Sequence, residues 1–393
     1  MEFFKPGLLV DFMRHRLVYL AVSGLAVVAS LVSVAYPGLN YGIDFAGGTE
    51  VQLAFPRGMT SAELRQTLEA AGYSRPDVVA VAGSDNEYIV RIAEVSALSA
   101  EQRRGIEQAV RGLASDDLEI LRVSISPGGD KVSVELSADV DPTRIQSAVE
   151  GAGATVVRVE RFGEASDHRY EVQLEGVAQE MMQRLTTSLA DRAPSEPRRI
   201  EWVGPRAGQQ LRDAAIQAVL YALAFIMVYV AFRFDLRFAP GGVIALAHDC
   251  VITIGVFVLL QKEFNLTIVA AILTIAGYSI NDTIVIYDRI RENMGRYRDK
   301  SRYDVINIST SQTLSRTVIT SGTTLLSIAA FFFFGTSTVR DISFALFIGI
   351  TIGTYSSIFV AAPITEWMDK VFFSKMRGRA KKPGVAKRQR ASA

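Results

Sequence analysis

Asn281 and Asp282 stand inside an apolar run, Leu266 to Ile286, that is long enough to cross a bilayer. A carboxylate in hydrocarbon costs about 2.5 to 3.5 kcal/mol on insertion scales, so its presence needs a reason. Two readings are open. Asp282 either caps or hydrogen-bonds to a neighbouring helix, or it carries or gates a proton, which is the default for an intramembrane ionisable group.

The rest of the chain divides in the same way between lipid and water. Hydrophobic residues make up 49% of it, too many for an ordinary soluble protein, and charged residues 21%, too many for a chain wholly in the membrane. Five further runs are long enough to span: Leu17 to Tyr36, Ala214 to Phe232, Gly241 to Leu260, Thr317 to Phe334 and Ile342 to Ala362. The fold class expected is therefore a polytopic α-helical membrane protein with six spans, plus an α+β domain. Ser33-Val34-Ala35 has the form of a signal-peptide cleavage site, but the apolar run is longer than such peptides use, so a retained anchor is expected. Before it, Phe3, Phe4, Lys5 and Phe12 suit a segment lying on the membrane surface.

The short connections 261–265 and 335–341 carry one basic residue each, Lys262 and Arg340. Arg233 and Arg237, the stretch from Arg289 to Arg316, and the tail from Lys370 to Arg390 are strongly basic, which places both termini in the cytoplasm and the large domain outside it. The basic residues thus give orientation rather than a nucleic-acid partner, and the tail (370–393) reads as a solvated end or a contact for anionic lipid. The single Cys250 excludes an intrachain disulfide, and three His without ligand spacing give no metal or cofactor to expect.

Between the first two spans the pattern changes to short alternating strands and capped helices, and it repeats. Val51 to Phe55, Val78 to Val81, Tyr88 to Ile92 and Leu118 to Ile125 read as strands, with helices at Ser61 to Ala71 and Ala100 to Leu113. About eighty residues on, the order returns: Val132 to Leu136, a helix opened by Asp141-Pro142 and ended by Gly153 as Gly72 ends the first, then Tyr170 to Leu174, Val177 to Asp191 and Arg199 to Val203. Two ferredoxin-like β-α-β-β-α-β repeats are expected, over 38–126 and 127–212, joined at the turn Pro127 to Asp130. No catalytic constellation is present, so no enzyme is expected. The domain is either a packing module or a surface that holds an extended polypeptide along a strand edge.

Other membrane residues also have chemistry to offer. His248 and Asp249 lie deep in the third span and either relay protons or hydrogen-bond locally; as sequence neighbours on a helix they are expected to point to different partners. Thr317, Thr320, Thr324 and Ser327 form a stripe on the fifth span, suited to helix packing or to a hydrated path. Arg316 stands near the cytoplasmic end of that span, within side-chain reach of Asp282, and a pair between them is expected. Gly349 and Gly353 have the spacing that lets another helix approach closely.

Several of these stretches resemble the SecD/SecF family of bacterial protein-export subunits, in the resistance-nodulation-division superfamily. The run Gly277 to Asn293, with Asn281, Asp282, Asp288 and Arg289, resembles the family's fourth span. Tyr41 to Thr49, with Gly42, Asp44, Gly47 and Gly48, resembles its GIDF-x-GG-T junction, whose glycines permit positive φ or close packing. Ser315-Arg316-Thr317, Val203 to Gly208 and Thr354 to Pro363 resemble it too. The duplicated domain departs from the pattern, and the family's own domain is divided between the two ends of the insert. The resemblance implies a multi-pass protein of the bacterial cytoplasmic membrane that works with SecD, the SecYEG channel and YajC on translocating unfolded polypeptide, using the proton gradient through an Asp and an Arg at the places of Asp282 and Arg316. Two rivals stay open, a subunit of another exporter of that superfamily and a membrane scaffold without proton coupling. Sodium in place of protons also stays open.

Overall fold

The computed structural model describes residues 9–373 apart from 82, 83, 85, 116, 165, 166, 195, 235–237 and 336. Phe3, Phe4, Lys5, Arg237 and the tail beyond residue 373 lie outside the described residues. The chain forms two compact units, one from residues 1–40 with 215–393 and the other from residues 41–214.

The first unit holds the membrane helices, and among the described residues six are long and apolar enough to span. They are α1 (Arg16–Ala35), α6 (Pro205–Arg233, which starts in the other unit), α7 (Ala239–Leu259), α8 (Leu266–Arg296), α9 (Arg302–Phe334) and α10 (Ser337–Ser356). After α10 the chain runs on through a π-helical stretch, Ser357–Ala361, and a short helix, Ala362–Met368. α8 and α9 continue well past the apolar windows into polar sequence. Asn265 caps the start of α8 by accepting from the Ile268 amide at 3.1 Å, and Ser301 caps α9 by accepting from Asp304 at 3.2 Å. The segment before α1 does not lie apart on a surface. Met13 is fully buried, Phe12 packs edge-on against Phe359, and Asp11 accepts from Tyr303 at 2.6 Å and Asn307 at 2.8 Å on the first turns of α9.

α8 and α10 pack side by side in parallel, and glycine makes this possible. A Cβ on Gly349 would stand 2.3 Å from the Ile275 side chain, and one on Gly353 2.9 Å from Cβ of Ser279. The spacing seen in the sequence therefore marks a real close approach.

Among the described residues two four-stranded sheets form in the second unit, from β1 (Gly48–Ala54), β2 (Asp77–Ala80), β3 (Glu87–Ile92), β4 (Ile120–Ile125), β5 (Lys131–Leu136), β6 (Val156–Arg161), β7 (Arg169–Leu174) and β8 (Pro197–Val203). Its helices are α2 (Ser61–Ala70), α3 (Ala100–Arg111), α4 (Pro142–Gly151) and α5 (Val177–Leu189). The caps foreseen at Thr60, Ser99 and Asp141 all form.

The pairing of strands corrects the expected repeats. One antiparallel sheet has the order β2-β3-β1-β8 and the other β4-β5-β7-β6, so neither 38–126 nor 127–212 makes a sheet of its own. Val51 of β1 pairs with Val90 on one side and Ile200 on the other. Val134 of β5 pairs with Val123 and with Tyr170. The helices follow the strands: Leu64 and Leu68 of α2 share a core with Met181 and Leu185 of α5, while Ile106 and Val110 of α3 share one with Ile145 and Val149 of α4. The second sheet and its helices thus occupy one continuous stretch, inserted between β3 and α5 of the first. Sequence periodicity cannot distinguish this from two repeats in tandem, because an exchanged α-β pair keeps its pattern and its burial.

Candidate functional site

Polar side chains in the middle of the membrane helices gather around two carboxylates. Asp249 on α7 is wholly buried and Asp282 on α8 is 4% exposed. In an apolar bundle each oxygen needs a donor.

Asp249 has three. The Ser279 hydroxyl of α8 donates to its Oδ2 at 2.5 Å, and Ser356 of α10 donates to the same oxygen at 2.8 Å. Nδ1 of His248 lies 2.9 Å from Oδ1. The two neighbours therefore meet each other, against the expectation that they point apart. Among the described residues Nε2 of His248 has no hydrogen-bond partner, although it is buried.

Asp282 is held more loosely. Its Oδ2 accepts from Ser321 of α9 at 3.3 Å, and Ser321 in turn accepts from Thr354 of α10 at 2.8 Å. Among the described residues no ion pair joins it to Arg316, contrary to expectation. Arg316 is exposed on α9, five residues before Ser321 and so about 7.5 Å along the helix. Asn281 faces outward, away from the carboxylate beside it, and Gly277 is open.

The threonine stripe turns out to be two faces. Thr317 is buried, whereas Ser327 is exposed. Thr320, Thr324 and Ser327 all donate to carbonyls of their own helix, at 2.9, 2.9 and 3.0 Å, and Thr324 also accepts from Tyr278 at 3.1 Å. Beyond the apolar window, Asp288 pairs with Arg291 at 3.1 Å and Arg289 with Glu292 at 2.8 Å, both exposed i,i+3 pairs.

The glycine junction is built at the start of β1. Gly42 precedes one helical turn, Ile43–Ala46, in which Asp44 is half-buried. Gly47 and Gly48 follow at φ +74° and +129°, and a Cβ on Gly48 would lie 2.4 Å from the Ile92 carbonyl oxygen. No other residue fits there, because the left-handed region and the close approach to β3 are demanded together.

Ser279, Ser321, Thr354 and Ser356 went unrecognised in the sequence. The available signal was position: Ser279 lies one turn before Asp282, and Ser356 three residues after Gly353, on the faces those residues already marked.

The protein export membrane protein SecD/SecF C-terminal family matches residues 184–371, and the SecD/SecF GG motif matches residues 33–55. Among similar proteins are the protein translocase subunit SecF of Koribacter versatilis, 35% identical over 97% of this chain and 96% of its own, and that of Desulfurispirillum indicum, 35% identical over 90% of each. The crystal structure of SecDF, a translocon-associated membrane protein from Thermus thermophilus, is 31% identical with a TM-score of 0.61 over 92% of this chain. SecDF in its super-membrane-facing form is 32% identical with a TM-score of 0.56 over 97%. This chain spans 39% and 41% of those two chains.

Proposed function

The chain belongs to the SecF family of membrane subunits in Sec-dependent protein translocation, and on that premise we propose that it couples a proton gradient to export through Asp282. The observation that carries this reading is a carboxylate buried among apolar helices, with one hydroxyl at 3.3 Å and, among the described residues, no cation bonded to it. A carboxylate in that setting is stable without charge, and ionised only if a charge comes to it. In the ionised state Arg316 swings along α9 to pair with it, which an Arg stem can do.

Alternation between those two states moves α9 against α8, and a gradient does work only if the two states differ in this way. Asp249 is the second proton site, with His248 as its partner. Orientation follows the basic loops, with both termini in the cytoplasm and the two-sheet unit outside the membrane. There the unit holds translocating polypeptide. SecD and the SecYEG channel are the partners, YajC a further one, and the membrane is bacterial and cytoplasmic.

Proton entry into vesicles reconstituted with the full chain and SecD tests this. Asp282→Asn and Arg316→Ala should each reduce gradient-driven proton flux at least tenfold while the complex still assembles. Flux carried equally by sodium would replace the proton in this scheme, and flux unchanged in both variants would leave the scaffold reading.

A further inference from the structure

α10 reaches Asp249 directly through Ser356 and Asp282 at one remove, through Thr354 and Ser321. Ser356 donates to Asp249 at 2.8 Å, while Thr354 donates to Ser321 at 2.8 Å, the residue that donates to Asp282. Each hydroxyl also has a second acceptor in its own helix. For Ser356 this is the Gly353 carbonyl at 3.1 Å, and for Thr354 the Ile350 carbonyl at 2.8 Å. A hydroxyl has one proton, so it donates either across the bundle or along α10, never both at full strength.

An ionised carboxylate is an acceptor only and draws these protons toward itself; a protonated one donates from one oxygen and accepts more weakly at the other, so the facing hydroxyl is freer to donate along its own helix. The direction in which Thr354 donates therefore reports the state of Asp282, and that of Ser356 the state of Asp249. The two lie two residues apart, at the point where α10 passes into the π-helical stretch Ser357–Ala361, a deviation often found at functional sites.

We propose that Thr354 and Ser356 are positioning residues that link the protonation of Asp249 to that of Asp282, so that the two carboxylates titrate as one unit. This rests on the proton reading above and adds the element that joins its two sites. Other titratable groups on these helices include His248 and Cys250 on α7, Tyr278 on α8, Arg316 on α9, Tyr355 on α10 and Tyr19 on α1. Neither α1 after Arg16 nor α6 between Ala214 and Phe232 brings a charged side chain.

Infrared titration of the full chain in lipid bilayers tests it, with the carboxylic C=O band of Asp282 assigned by its loss in Asp282→Asn. Asp249→Asn should move the midpoint of that band by about one pH unit in the parent chain, the size at which two sites count as coupled. The shift should persist in Thr354→Ser, which keeps the hydroxyl, and disappear in Thr354→Val and in Ser356→Ala. A parent midpoint indifferent to Asp249→Asn overturns the link. A shift of equal size in Thr354→Val overturns it too, because the coupling then acts through space. A band that does not titrate at all removes the proton reading itself, and the link with it.

Discussion

The cores of the two-sheet unit and of the membrane bundle are built on opposite rules. In the first, Val51, Leu64, Leu68 and Met181 in the first sheet's core and Ile106, Val134 and Ile145 in the inserted sheet's core are buried aliphatic side chains, and charges pair at its margins, as where half-buried Arg91 lies 2.7 Å from Glu50. In the second, the deepest positions are shared by Asp249, Ser279, Asp282, Ser321 and Ser356. An apolar core has one good arrangement and resists change, whereas a hydrogen-bonded core with alternative acceptors has several of similar energy.

That contrast can be broken by cutting. A segment covering residues 97–175 contains one whole sheet with α3 and α4, and should melt cooperatively by circular dichroism in buffer. A segment covering 131–203 lacks β4 and α3 and leaves β8 without β1, so it should show no cooperative melt. The reverse result would mean that the repeats, and not the observed sheets, are the folding units.

Core truncation sharpens it. Met181→Ala should cost about 2–5 kcal/mol of stability of the two-sheet unit in denaturant titration. Proton flux per folded molecule should not change, since Met181 touches only the apolar core. In the bundle, Gly353→Val forces carbon against Ser279 and should cost about 1–3 kcal/mol. Here flux should fall with it, because Ser279 holds Asp249.

The smallest effect is expected from a surface carboxylate. The Tyr170 hydroxyl first, and the Arg161 guanidinium after it, hold Asp139 below the usual carboxylate range. A carboxylate depressed in the folded state stabilises at pH values above its unfolded value near 4, and this is lost as pH falls through the folded value. Asp139→Asn should therefore narrow the gap between melting temperatures at pH 7 and pH 3 in the 97–175 segment. An unchanged gap would show that Asp139 has no share in acid unfolding.

Much of this was legible in the residues. The six spans follow from apolar length, and the caps at Thr60, Ser99 and Asp141 from local chemistry that acts within one turn. Gly349 and Gly353 likewise marked a close helix approach. What was illegible depends on partners far apart in the chain. β8 joins β1 across about 150 residues of sequence, and nothing in Arg199 to Val203 states which of two similar sheets it completes. The same holds for Asp282, whose hydrogen bond comes from Ser321 and not from Arg316. Both lie on the same helix at reachable depth, and only side-chain direction chooses between them. His248 and Asp249 meet although they are sequence neighbours, which spacing alone does not reveal.

The account stands on Asp282 changing its charge during export. The direct measurement is translocation of a Sec-dependent substrate into vesicles reconstituted with the full chain, SecD and the channel, with and without a proton gradient. In the parent the gradient should stimulate translocation, and in Asp282→Asn, which keeps the shape and fixes the uncharged state, that stimulation should vanish while gradient-independent translocation continues. An Asp282→Asn complex that answers the gradient as fully as the parent would contradict the account.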